Sequence, residues 1–178
     1  MERKQFLQMG CCALAFLGSR PTDSSAAEER PCNEQLIFIQ NFLSDLMESI
    51  DSQLDEPTKI KLLGECGRAC FRRFQFKQEI AAKGKGNVDR LIEAYHANFE
   101  AWRDGDTVHI RYGAVNTYGC FCPAARYRPG KPHLDIHCYC TRATHQTIWE
   151  TALGQPVRVE ILQSIRRGDP TCHFLVHL

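Results

Sequence analysis

The sequence predicts an α+β domain, with helices first and then an antiparallel sheet of about four strands that has one helix inserted in it. Apolar residues recur at helical spacing through the first half of the chain and alternate through the second. The period changes just after "RDGD", at residues 103–106.

The elements follow in order. From Asn33, residues Leu36, Ile39, Leu43, Leu46, Met47 and Ile50 mark a first helix. A second restarts in "LDEPTKIKLLGECGRACFRRF", where Pro57 suits a first turn and Ile60, Leu63, Gly67, Cys70 and Phe74 form one stripe. "AAKGKGN" breaks that pattern. Asn87 then caps a third helix, in which Val88, Leu91, Ile92, Tyr95, Phe99 and Trp102 keep the 3.6 period. "TVHIRYG" reads as a strand with Val108, Ile110 and Tyr112 on one face.

"HLDIHCYC" alternates as well. Leu134, Ile136, Cys138 and Cys140 share a face, and His133, Asp135, His137 and Tyr139 share the other, so His133 and His137 are expected to face solvent. "THQTIWETALG" is a short helix stopped at Gly154, with Pro156 beyond. The tail is a hairpin around "RRGDP" whose return strand sets Cys172, Phe174, Val176 and Leu178 against His173, Leu175 and His177.

Residues 1–27 read as an export signal: a basic start, the short apolar run "MGCCALAFLG", then small and polar residues. Arg3-Lys4 ahead of Phe6-Leu7 resembles a twin-arginine signal, with Lys4 where the second arginine belongs. Cys11 and Cys12 precede most of the apolar run and, after Gln8 and Met9, fit a lipid-attachment site poorly. Residues 28–178 are therefore expected to form a single Cys-rich α+β domain, soluble, and exported to a periplasmic or extracellular space by the machinery that reads the signal. The whole chain carries 22 basic and 21 acidic residues, and the signal's three basic and two acidic residues leave the remainder balanced. Such a chain has no electrostatic footprint for nucleic acid. No later segment suits a transmembrane helix.

Beyond Cys11 and Cys12, the chain carries Cys32, Cys66, Cys70, Cys120, Cys122, Cys138, Cys140 and Cys172. A bridge within one Cys-x-Cys pair is strained, because the two α-carbons on a strand stand roughly 7 Å apart. Two thiolates at i and i+2 can instead converge on one ion where a strand bends or ends. Gly119 and Pro123 make "GCFCP" such a turn, and Cys138 and Cys140 would close a strand at Thr141. Cys120, Cys122, Cys138 and Cys140 thus supply four soft ligands for zinc or an iron–sulfur cluster, with Cys172 as a nearby fifth sulfur. Disulfides between the pairs, and reduced thiols that serve chemistry, are the alternatives. Cys66 and Cys70, four apart, read as small buried thiols in a helix interface or as a second metal- or substrate-facing pair.

Residues 118–178 resemble a group of small exported bacterial Cys-rich proteins, through the two Cys-x-Cys pairs, Trp149 and the tail from "LGQPVRVEIL" onward. Gly168, Asp169, Cys172, Phe174 and Val176 are similar to the carboxy-terminal edge of 4-vinyl reductase-like and L-2-amino-thiazoline-4-carboxylic acid hydrolase-like domains. That resemblance implies a small-molecule pocket lined by thiols and names no catalytic residue. Three functions follow as expectations. The first is an exported metal- or cofactor-binding protein. The second is a thiol-dependent enzyme acting on a small heterocycle, with Cys172 or Cys66 as nucleophile and His96 or His173 as base. The third is a disulfide-stabilised secreted module.

Overall fold

The computed structural model describes residues 34–112 and 136–178. The export signal, Cys11, Cys12, Cys32, Cys120, Cys122 and His133 lie outside them. Helices α1 (Glu34–Gln53), α2 (Glu56–Arg73), α3 (Gln75–Lys83) and α4 (Val88–Tyr95) come first. Strands β1 (Glu100–Asp104) and β2 (Thr107–Arg111), helix α5 (His137–Leu153), and strands β3 (Arg158–Gln163) and β4 (His173–His177) follow. The sheet is antiparallel throughout, in the order β1-β2-β4-β3, so α5 and β3 are inserted between the neighbours β2 and β4. This is the α+β class the periodicity implies.

Local chemistry accounts for most boundaries. Asp55 caps α2 by accepting from the Thr58 amide at 2.9 Å, and Pro57 sits in the first turn. Asn87 caps α4 by accepting from the Arg90 amide at 2.9 Å. Gly154 ends α5 in the left-handed region at φ 70°, which an L side chain rarely adopts. The tail hairpin turns through a 3-10 segment, Ile165–Arg167, and Asp169 fastens it by accepting from the Ser164 amide at 2.7 Å.

Three expectations change. The helix expected to run through Phe99 and Trp102 ends at Tyr95, and residues 100–104 form β1. "DGD" is the β1–β2 turn, with Gly105 at φ 57°, and cross-strand pairing of Trp102 with His109 replaces the helical register. The "HLDIHCYC" strand is overturned from Ile136 onward, since His137–Cys140 form the first turn of α5. His137 is buried, not solvent-facing. Finally, Phe74 adopts an extended conformation that separates α3 from α2, a break the sequence pattern did not show.

The core lies between one sheet face and helices α3, α4 and α5. Trp149, Tyr95, Phe174, Leu91, Ile110 and Ile148 are its largest fully enclosed side chains. Each large apolar side chain so enclosed contributes roughly 1.5–3 kcal/mol. Among the described residues no helix is long and apolar enough to cross a membrane.

Candidate functional site

The first turn of α5 carries two of the four expected thiolates. Cys138 is buried, with its sulfur 3.1 Å from the Ser164 hydroxyl, and Cys140 is half-buried. Ser164 is itself fully enclosed at the end of β3. The β3–β4 register pairs Gln163 with His173, so Cys172, the residue before β4, lies at the same end of the hairpin as Ser164. Burial first, and the charge of Arg166 second, lower His137 to a pKa of about 4, so this end of the helix starts with a neutral imidazole. Tyr139 donates to the Glu56 carboxylate and ties the turn to the start of α2.

The helical setting changes how Cys138 and Cys140 can work together. On a strand they would share a face, whereas on a helix they stand about 200° apart around the axis. Every Cα–Cβ bond of a helix leans toward its amino terminus, so thiolates in the first turn can meet only off the helix end. Thiolates are also favoured there by the helix dipole.

Helix α2 holds this turn by close backbone contact. A Cβ on Gly67 would stand 2.3 Å from the Cys140 carbonyl oxygen and 2.9 Å from the Thr144 amide nitrogen. Only glycine allows that approach. The Thr144 hydroxyl lies 3.0 Å from the Cys140 carbonyl and 3.2 Å from the Gly67 carbonyl, across the same crossing. The α2–α5 interface is thus made by Leu63, Gly64 and Gly67, not by the two α2 thiols, for Cys66 is exposed and Cys70 half-buried. Cys70 instead receives a contact from the Lys77 ammonium at 2.8 Å, with that ammonium also over the Phe74 ring.

No family model matches this chain, and no curated protein is significantly similar to it.

A second polar centre lies inside the core. His145 sits between Tyr95 and Tyr112, whose hydroxyls are 3.2 Å from Nδ1 and 3.1 Å from Nε2. A neutral imidazole has one donor and one acceptor nitrogen, so either tautomer satisfies both phenols. Burial, with Lys77 adding, lowers His145 to a pKa of about 3. Burial also pushes the Tyr95 phenol well above its ordinary range, with Tyr112 adding to it. His145 and Tyr95 are both neutral at pH 7, and Phe99 and Phe174 enclose the imidazole ring at centroid distances of 5.7 and 4.9 Å.

The two histidines considered as bases stand elsewhere. His96 contacts the Ala101 carbonyl at 2.8 Å and Glu93 at 3.5 Å. His173 lies on the outer sheet face, 2.9 Å from His109, while Cys172 belongs to the core, so alternation separates the neighbouring thiol and imidazole as expected. Burial, then His109 and Arg111, hold His173 below the ordinary histidine range. Among the described residues no three His, Cys, Asp or Glu side chains gather around a common point. The sequence patterns missed Ser164 and His145, because lone polar residues on a buried stripe leave no periodic apolar signal, and His109, because the polar face of a strand carries none.

Proposed function

We propose that this chain is an exported thiolate metal- or cofactor-binding protein, holding zinc or an iron–sulfur cluster through Cys120, Cys122, Cys138 and Cys140. One observation carries the reading: Cys138 and Cys140 both stand in the first turn of α5, with the Cys138 sulfur against Ser164 of the tail hairpin. Four thiolates off a helix amino terminus would satisfy a tetrahedral zinc ion or a cluster, and the positive end of the helix would offset part of their charge. Gly67 and Thr144 fix the α5 backbone at Cys140, which gives the ligands a rigid platform.

The test is elemental analysis and an absorption spectrum of anaerobically purified protein. About one zinc per chain, or a cluster absorption in the visible region, is expected. Cys138→Ser and Cys140→Ser should each abolish it. Metal-free protein with its Cys-x-Cys sulfurs oxidised to disulfides would overturn the reading in favour of the stabilised module.

A further inference from the structure

The outer face of the sheet is organised in cross-strand rows. One row runs Glu100–Arg111–His173–Gln163, the next Trp102–His109–Leu175–Glu160, and a third Asp104–Thr107–His177–Arg158. His109 and His173 are diagonal neighbours on the central strands, and both rings are partly exposed. His109 Nδ1 and His173 Nε2 are 2.9 Å apart. Trp102 stacks on His109 with ring centroids 4.8 Å apart and planes 3° from parallel. Arg111, the cation beside this group, lies over Trp102 and gives its charge to Glu100 at 2.6 Å.

We propose that His109 and His173 form a two-imidazole binding site for a tetragonal divalent cation, nickel(II) or copper(II), on the outer sheet face. Metal–imidazole bonds are about 2.0–2.1 Å long, so two nitrogens 2.9 Å apart subtend an angle of about 90° at a shared ion. That is the cis angle of square-planar or octahedral coordination, which nickel(II) and copper(II) prefer. A tetrahedral zinc ion would need the nitrogens spread to about 3.3 Å. The facing nitrogens now share one proton. On metal binding that proton moves to the other nitrogen of its own ring, both rings stay neutral, and both facing lone pairs become ligands. Water fills the remaining positions from the open side. Antiparallel pairing of β2 with β4 holds both α-carbons, and each ring turns off the shared N–N axis to aim its lone pair at the ion. The site uses imidazoles on the sheet and is independent of the thiolate reading at α5.

The built-in reporter is Trp102, because an open-shell ion bound to the stacked imidazole quenches indole emission. The other tryptophan, Trp149, is buried in the core on the opposite sheet face. The experiment is nickel(II) titration of the full-length protein, followed by tryptophan emission and, in parallel, by calorimetry. Saturable quenching at one equivalent is expected, and His109→Gln and His173→Gln should each weaken it by about tenfold or more. Trp102→Phe should remove the quenching and leave the binding heat. Zinc(II) added first, to fill any thiolate site, should leave the quenching and the nickel heat in place. Quenching that survives both histidine variants, or that follows Cys138→Ser and Cys140→Ser instead, would overturn the site. Because both histidines are partly exposed, circular dichroism should show both Gln variants folded. If either is not, loss of the nickel heat from the native protein after carbethoxylation of its histidines supports the site, and its persistence overturns it.

Discussion

The two halves of α5 obey the same helical geometry and bury different chemistry. The carboxy-terminal half, through Ile148, Trp149 and Ala152, buries hydrocarbon and aromatic surface and stops at a left-handed glycine. The amino-terminal half buries an imidazole, a thiol and a hydroxyl, at His137, Cys138 and Thr144, and relies on backbone contact with α2. The first half-helix is held by partners that must match it atom by atom, the second by burial that tolerates approximate fit. Cys138 and Cys140, two of the four candidate ligands, stand in that amino-terminal half.

The largest effect should come from the hydrocarbon half. Trp149→Ala removes a fully enclosed ring and should cost about 3–5 kcal/mol in urea unfolding. A cost below about 1 kcal/mol would mean that this half is not the anchor. Next comes the helix crossing. Gly67→Ala forces a methyl group against the Cys140 carbonyl and should destabilise by about 1–3 kcal/mol, although alanine is the better helix former. Gly64→Ala is the internal control. Its Cβ would meet its nearest neighbour at 3.5 Å, so about 0.5–1 kcal/mol of stabilisation is expected.

His145, midway along α5, sharpens the comparison through pH. Its folded pKa of about 3 lies below the ordinary 6.5, so the unfolded chain takes up the proton first as pH falls. The contribution is fully present above about pH 6.5 and is lost between there and about pH 3, at up to about 1.4 kcal/mol per pH unit. His145→Gln should flatten that slope in unfolding measured across the window. Cys138→Ala, which takes a partner from the enclosed Ser164 hydroxyl, should cost about 1 kcal/mol.

The same contrast explains what could be read from the sequence. Asn87, Pro57, Gly154 and the "RRGDP" turn carry their own local chemistry, and each lies where its residue type implies. Val108, Ile110, Phe174 and Val176 alternate on the inner sheet face because that face buries hydrocarbon. His137 and Cys138 keep the helical stripe of α5, but they are polar or weakly apolar, so over the eight residues of "HLDIHCYC" alternation fitted as well as the helical period. Phe99 and Trp102 continued the α4 spacing by coincidence, and hairpin pairing of β1 with β2 decided against it. For the candidate site, Cys138 and Cys140 were visible as sulfurs, whereas Ser164 and Gly67 became part of it only through tertiary contact.

The most direct test of the thiolate centre is cobalt(II) titration of reduced protein, read in the near-ultraviolet where sulfur-to-cobalt charge transfer absorbs. The proposed centre predicts strong charge-transfer bands with a tetrahedral visible spectrum, lost when Cys138 or Cys140 becomes serine and unchanged in His109→Gln and His173→Gln. Bands that persist in both serine variants, or no sulfur charge transfer at all, would contradict it.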